Sequence, residues 1–185
     1  AHMDDVASGY FNVIFMPTSV INLVAGFVIR PVLTYLTDDW NEKRYPEFEG
    51  MLKRISLLIG GLSCLAVALT WLLGRPVLGI MERILGAAYT GSLIPYHRAF
   101  LLVVLGGGFY AILNLYYYVL VILRQQQMIF WIYVILTACA AVLAPALVKQ
   151  AGIMGAALAY LILMIVMAIS FVGGAWSAYR QGKQK

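Results

Sequence analysis

Few residues of this chain could carry out chemistry, and their spacing matches no catalytic or metal-binding motif. The only histidines are His2 and His97, and no Cys/His pattern has the spacing of a metal site. The two cysteines, Cys64 and Cys139, fall inside apolar segments, where cysteine is usually a small packing residue. There is no phosphate-binding loop and no GxSxG nucleophile turn. The sequence therefore predicts a protein that is not an enzyme and has no catalytic residues, metal site or cofactor.

Polar residues recur along one face of the apolar segment 8–36. At 100° per residue they fall within an arc of about 80°, while the rest of the helical wheel is mostly aliphatic and aromatic. The members of this face are Ser8, Asn12, Ser19, Asn22, Gly26 and Arg30. Either the face lines a hydrated cavity, or its small and polar residues join one membrane helix to another. Pro17 and Pro31 are predicted to bend the segment.

Arg30 is the residue of this face with the clearest chemical meaning. Arginine near the centre of a membrane helix costs about 2.5 to 3.5 kcal/mol on insertion scales. Its side chain could reach the nearby interface or make a structural contact, or it could face a substrate. In the second case the guanidinium, a rigid fork of donors, predicts an anionic ligand such as a phosphate.

A second polar face follows the segment 98–123. Its members are Gly107, Tyr110, Asn114, Tyr118 and Gln125, within the sequence GGGFYAILNLYYYVLVILRQQQ. Asn114 and the tyrosines could stack on sugars and bind hydroxyl groups, but tyrosine is also common at membrane interfaces. The three consecutive glycines permit either close helix packing or local unwinding.

The elements that must position these residues are membrane helices. Of 185 residues, 63% are hydrophobic and 11% are charged, and the mean hydropathy is +0.87, far more apolar than a soluble domain. The continuous apolar runs have the length of membrane-spanning helices and lack the alternation of barrel strands. The predicted fold class is therefore all-α, a polytopic transmembrane bundle of about five helices. The predicted spans are 8–36, 55–73, 98–123, 128–148 and 152–179.

The basic residues predict the orientation of these spans, because short cytoplasmic loops are rich in lysine and arginine. One side would carry eight of them: Lys43, Arg44, Lys53, Arg54, Arg124, Arg180, Lys183 and Lys185. The other side would carry four: Arg75, Arg83, Arg98 and Lys149. This asymmetry places the C-terminus in the cytoplasm, and it explains the net charge of +5 without nucleic-acid binding. The longer connection 74–96 is predicted to form an interfacial half-helix at the mouth of the bundle.

A pattern of apolar residues punctuated by Gly, Pro and Tyr runs along the whole chain. It includes GYFNVIFMPTSVINLVAGFVIRPVLTYLT, GRPVLGI, GGGFYAILNLYYYVLVILRQQ and GIMGAALAYLI. This pattern resembles the C-terminal half of the polysaccharide flippases of the multidrug/oligosaccharidyl-lipid/polysaccharide exporter superfamily. The resemblance implies that residues 1–185 are a fragment, comprising most of the second helical bundle, of a larger bacterial inner-membrane transporter. Its partners would be the preceding bundle of the same protein, membrane lipids and a lipid-linked oligosaccharide pyrophosphate.

Such flippases move their substrate between leaflets by alternating access, through a cationic central cavity onto which Arg30 would map. The residues expected to bind substrate are Arg30, Asn22, Ser19, Asn12, Asn114, Tyr110 and Tyr118. Two alternatives remain open at this point. One is a multidrug exporter of the same superfamily, although organic cations would favour a buried carboxylate over Arg30. The other is a membrane scaffold subunit without a transport pathway, whose polar faces serve only contacts between helices.

Overall fold

The computed structural model describes residues 5–85 and 93–183, and within these ranges it contains helices and no strands. Helix α1 covers Asp5–Asn41 and includes both Pro17 and Pro31. The remaining long helices are α2, Tyr45–Leu85, α3, His97–Ile122, and α4, Gln126–Lys183. A short 3-10 turn, Ile94–Tyr96, leads into α3. The prediction of an all-α bundle is confirmed, and in the described part of the chain four helices are long and apolar enough to cross a membrane.

The fourth helix folds back on itself at Gly152. This residue has φ 55° and ψ −128°, a conformation that glycine adopts without the steric penalty of a side chain. The two arms, 126–151 and 153–183, then run antiparallel, so that the rings of Tyr133 and Phe171 lie 5.5 Å apart. A Cβ atom at Gly155 would overlap the backbone carbonyl of Leu147. The described residues therefore form five long helical segments, with the last two joined by a tight bend.

The second helix is longer than its predicted span. The connection 74–96 was expected to contain a separate interfacial half-helix, but residues 74–85 continue α2 without a break, and residues 86–92 lie outside the described ranges. The separate half-helix is therefore a wrong prediction. The physical reason is packing, because Leu78 is fully buried and Gly74 is so close to the His97 ring that a Cβ atom would lie 2.6 Å from Nε2.

A buried carboxylate holds the end of α2 to the start of α3. Glu82 is 6% exposed, and its Oε1 accepts hydrogen bonds from the backbone N–H groups of Leu93 and Ile94 at 2.6 and 3.1 Å. These donors precede the first turn of α3, where backbone N–H groups lack partners within the helix. Glu82 therefore fixes the approach of α3 to α2.

Helix α3 is the centre of the bundle, and its three glycines explain why. A Cβ atom at Gly106 would lie 2.5 Å from the Tyr160 ring on α4, and one at Gly107 would lie 2.8 Å from the Thr18 side chain on α1. At Gly108 the same atom would lie 2.8 Å from the Ser63 side chain on α2. Successive residues of a helix point about 100° apart, so each glycine admits a different neighbouring helix. The glycines serve close packing, and α3 is not unwound at this point.

The two ends of the bundle differ in their number of basic residues, with seven Lys and Arg side chains of the described residues at one end and four at the other. At one end, which we call the basic end, an aromatic cluster joins the end of α1, the start of α2 and the end of α4. Its rings lie 5.4 to 6.3 Å from their neighbours in the cluster and belong to Trp40, Tyr45, Phe48, Trp176 and Tyr179. The connection between α3 and α4 is at the same end, as predicted from the order of the spans. The opposite end holds Tyr10, the 3-10 turn and the bend at Gly152.

Candidate functional site

Membrane depth can be estimated along α1 from the aromatic residues at its ends. Tyr10 packs against Tyr96 at the opposite end, with ring centroids 6.3 Å apart, and Trp40 belongs to the cluster at the basic end. The helix between Tyr10 and Trp40 is about 45 Å long at 1.5 Å per residue, close to the full thickness of a bilayer including its headgroups. Aromatic residues favour these interfaces, so the intervening part of α1 lies at membrane depth.

Arg30 lies within this membrane-spanning part. It is about 15 Å along the helix from Trp40, and it is the only charged residue of α1 between Asp5 and Asp38. Its side chain is exposed on the surface of the bundle, and it has no ion pair or hydrogen bond with the described residues. The rest of the described chain therefore leaves this guanidinium without a charge partner.

Only part of the polar face of α1 lies on the side of the helix that contacts α4. Helices α1 and α4 meet near the opposite end, where the Phe15 and Tyr160 rings are 5.0 Å apart, and again at the basic end, where Trp40 contacts Tyr179. Asn22 lies on the same side of α1 as Phe15 and Trp40, within about 20° on the helical wheel. It is half-buried, and its Oδ1 is buried without a hydrogen-bond partner among the described residues.

Two of the predicted residues of α3 face the same side. On the helical wheel, Tyr110 and Asn114 fall between Gly106, which contacts α4, and Gly107, which contacts α1. Both are half-buried, and Tyr110 lies near enough to Tyr160 of α4 for electrostatic interaction. We call the region between α1 and α4 that contains Asn22, Tyr110 and Asn114 the α1–α4 seam.

The remaining predicted residues lie around this seam. Asn12, Ser19 and Arg30 are exposed at its outer margin on α1. Tyr118 is half-buried in the core of the bundle, with its ring 5.4 Å from that of Tyr117. By their positions on the helical wheels, Asn22, Tyr110 and Asn114 thus face the same side of the bundle and are half-buried, whereas Asn12, Ser19 and Arg30 are exposed.

Sequence reasoning missed Thr18. This residue is fully buried, its methyl group fills the notch above Gly107, and its Oγ1 has no hydrogen-bond partner among the described residues. The signal was present, because Thr18 lies one helical turn before Asn22. Together the two residues place two unpaired oxygen atoms on neighbouring turns of α1 at membrane depth.

Several cavities of the described chain lie away from this seam. One of about 460 Å³ is on the outer side of α2 and α3, and includes Cys64. Another of about 270 Å³ is at the basic end, between α2, α3 and α4. Both cysteines are free and exposed on the surface of the bundle, so their expected role as packing residues is not seen among the described residues. Within residues 5–85 and 93–183 no three His, Cys, Asp or Glu residues are placed to hold a metal ion.

The class of protein follows from these features. The chain is an all-α protein whose long apolar helices form a membrane-embedded bundle. No protein-family model, curated protein or solved structure matches it.

Proposed function

We propose that this chain is part of the second helical bundle of a bacterial inner-membrane flippase for lipid-linked oligosaccharides used in polysaccharide biosynthesis. Arg30 would hold the pyrophosphate group of the substrate, and the residues of the α1–α4 seam would contact its sugars. A further bundle of the same protein would face this surface across a hydrated cavity. The C-terminus would lie in the cytoplasm.

The observation that carries this proposal is the uncovered polar surface of α1 at membrane depth. Asn12, Ser19 and Arg30 are exposed there, and the Asn22 oxygen beside them is unpaired. Hydrocarbon offers no hydrogen bonds, so each unsatisfied polar group facing lipid costs several kcal/mol, and a charge costs more. This surface is therefore better suited to a polar space or a polar partner than to lipid.

The residues in and around the seam fit a substrate with a charged end and a sugar end. Heights along the bundle can be compared from the level at which Thr18 contacts Gly107. Toward the basic end, Arg30 and Tyr118 lie about 18 and 16 Å from this level. Asn22 and Asn114 lie about 6 and 10 Å from it in the same direction. A guanidinium binds phosphate oxygens through paired hydrogen bonds, and an amide both donates to and accepts from hydroxyl groups. The pyrophosphate would then bind nearer the basic end than the first sugars.

The experiment that tests this role replaces Arg30 in the complete transporter. We expect Arg30→Lys to retain part of the export of surface polysaccharide, because the charge remains, and Arg30→Ala to lose at least about 90% of it, since an Arg-to-phosphate pair contributes roughly 1.5 to 3 kcal/mol. Arg75→Ala is a matched control, because Arg75 is an exposed arginine at the other end of the bundle. Membrane abundance is measured in parallel. Full export from Arg30→Ala at normal abundance would overturn the proposed role.

A scaffold subunit is the second candidate, because the cavities at the basic end and on the outer side of α2 and α3 do not include Arg30. In that case the polar surface of α1 would contact another membrane helix directly. After replacement of Cys64 and Cys139, Ser19→Cys should react with a small water-soluble thiol reagent if the surface is hydrated, whereas Phe27→Cys, on the lipid side of α1, should not. Protection of both positions in the complete protein would favour the scaffold.

A further inference from the structure

The cavity at the basic end has a different character from the α1–α4 seam. It has a volume of about 270 Å³ and lies between the first turns of α2, the end of α3 and the end of α4. Its inner wall is apolar and includes Leu52, Val119, Val172 and Ala175. A second hollow of about 300 Å³ shares Glu49, Trp176 and Tyr179 with it and continues outward. Together they form one cleft, which we call the interfacial cleft.

The outer rim of the interfacial cleft is basic. Lys53, Arg180 and Lys183 line it and are exposed, and the only acidic residue among those that line it is Glu49. None of these four side chains forms an ion pair within the described part of the chain. The rim therefore has a net charge of about +2, and its cations are free to bind an anion.

Two side chains at this rim, Arg180 and Tyr179, have features that favour anion binding at a defined position. The Arg180 guanidinium lies over the Trp176 ring, with 5.1 Å between Cζ and the ring centroid, a cation–π arrangement that restricts the arginine side chain. Tyr179 is 8% exposed, lines both hollows, and has a buried Oη without a hydrogen-bond partner among the described residues. A phenol hydroxyl can donate a hydrogen bond to a phosphate or ester oxygen.

The cleft lies at the depth where lipid headgroups meet acyl chains. Its walls include Phe48, Trp176 and Tyr179 of the aromatic cluster, and aromatic residues of this kind mark the membrane interface. Basic pockets between membrane helices at this level bind the headgroups of anionic lipids. An apolar wall beneath a basic rim matches a phospholipid, which has acyl chains beneath a phosphate.

We propose that the interfacial cleft binds an anionic phospholipid of the surrounding membrane. An acyl chain occupies the apolar cavity, and the phosphate is held by Lys53, Arg180 and the Tyr179 hydroxyl. This site is separate from the α1–α4 seam, and its assignment does not depend on the flippase proposal.

Quenching of Trp176 fluorescence tests the site directly. The full 185-residue chain, with Trp40, Trp71 and Trp131 replaced by Phe, is reconstituted in vesicles of phosphatidylglycerol and phosphatidylcholine in equal amounts. In one preparation only phosphatidylglycerol carries brominated acyl chains, and in a second only phosphatidylcholine does. Bromine quenches tryptophan fluorescence only on contact. We expect brominated phosphatidylglycerol to quench Trp176 at least about threefold more strongly than brominated phosphatidylcholine, because the basic rim selects the anionic lipid.

The rim is tested by Lys53→Gln with Arg180→Gln in the same background. With this pair of substitutions, the two brominated lipids should quench Trp176 equally. The matched control pair, Arg54→Gln with Arg124→Gln, removes two exposed charges from the same end but outside the cleft. It should preserve the stronger quenching by phosphatidylglycerol. Val172→Phe, which fills the cavity, should lower quenching by both lipids. Far-ultraviolet circular dichroism checks that each variant is folded.

Three results of these quenching measurements would overturn the proposal, and a displacement experiment adds a fourth. They are equal quenching by the two lipids in the parent protein, loss of the preference in the control pair, and an unchanged preference in the Lys53→Gln/Arg180→Gln pair. Displacement of the brominated lipid by trace amounts of a polyprenyl pyrophosphate would also overturn it, because the cleft would then belong to a lipid-linked substrate.

Discussion

At the scale of single residues, side-chain size determines how closely the helices of this bundle approach one another. Gly106, Gly107 and Gly108 are consecutive, yet each faces a different helix, and each contact is with a side chain of that helix. Gly60 and Gly79 are also in a long helix, but nothing lies within 4 Å of where their Cβ atoms would be. The same residue type is therefore required at some positions of the bundle and replaceable at others.

The pair Gly106→Ala and Gly60→Ala tests this difference. We expect Gly106→Ala to lower the free energy of unfolding by about 1–3 kcal/mol, because its new methyl group would overlap the Tyr160 ring. Gly60→Ala should be neutral or raise it by up to about 1 kcal/mol, since alanine is the better helix former. Thermal unfolding in detergent measures both. Equal stability of the two variants would show that α3 and α4 are not packed as described.

At the scale of the elements, the backbone conformation of Gly152 separates the last two spans of the chain. Residues 126–183 would form a helix of about 87 Å if it were straight, almost three times the thickness of the hydrocarbon core. The bend at Gly152 brings Met128 and Ile132 against Gly174 instead. The two arms then form a helical hairpin whose bend lies at the opposite end of the bundle.

The hairpin can be tested by a disulfide between its arms. In a protein without Cys64 and Cys139, Ile132→Cys and Gly174→Cys should form a disulfide on mild oxidation, because the Ile132 side chain lies beside Gly174. Adding Gly152→Ala should reduce the yield several-fold, since alanine in this left-handed conformation costs roughly 1–3 kcal/mol. Gly173→Ala, an exposed glycine of the same helix, is the matched control. A yield unaffected by Gly152→Ala would show that the bend does not require glycine.

At the scale of the whole molecule, the order of the helices places two groups of loops at opposite ends. The turn between α1 and α2, the turn between α3 and α4, and the end of α4 lie together at the basic end. Arg44 there forms ion pairs with Asp39 at 3.0 Å and with Glu42 at 3.3 Å. The excess of basic residues at this end predicts that it faces the cytoplasm.

Cysteine labelling of intact cells tests that orientation. In the complete protein without its native cysteines, Lys43→Cys and Gln181→Cys should be protected from a membrane-impermeant thiol reagent, and Gln150→Cys, near the bend at the opposite end, should react. Permeabilised cells provide the control, because all three positions are exposed. Reaction of the first two positions in intact cells would reverse the orientation and place the interfacial cleft in the outer leaflet.

The sequence alone determined the class of protein and the approximate limits of its helices. This was possible because a membrane helix satisfies its own backbone hydrogen bonds and contacts hydrocarbon along its length. A continuous run of apolar residues in the sequence is therefore enough to identify such a helix and its approximate limits. The sequence also indicated a break near Gly152 and polar faces on the first and third spans.

Only the tertiary structure decided which faces are covered. The helical wheel groups Asn22 with Arg30, but contacts with α3 and α4 leave Asn22 half-buried in the seam and Arg30 exposed beside it. The interfacial cleft joins Phe48 to Tyr179, whose rings stack 5.9 Å apart although they are far apart in the chain. Such sites arise where distant residues pack together, and no local pattern of polarity or spacing encodes which helices become neighbours.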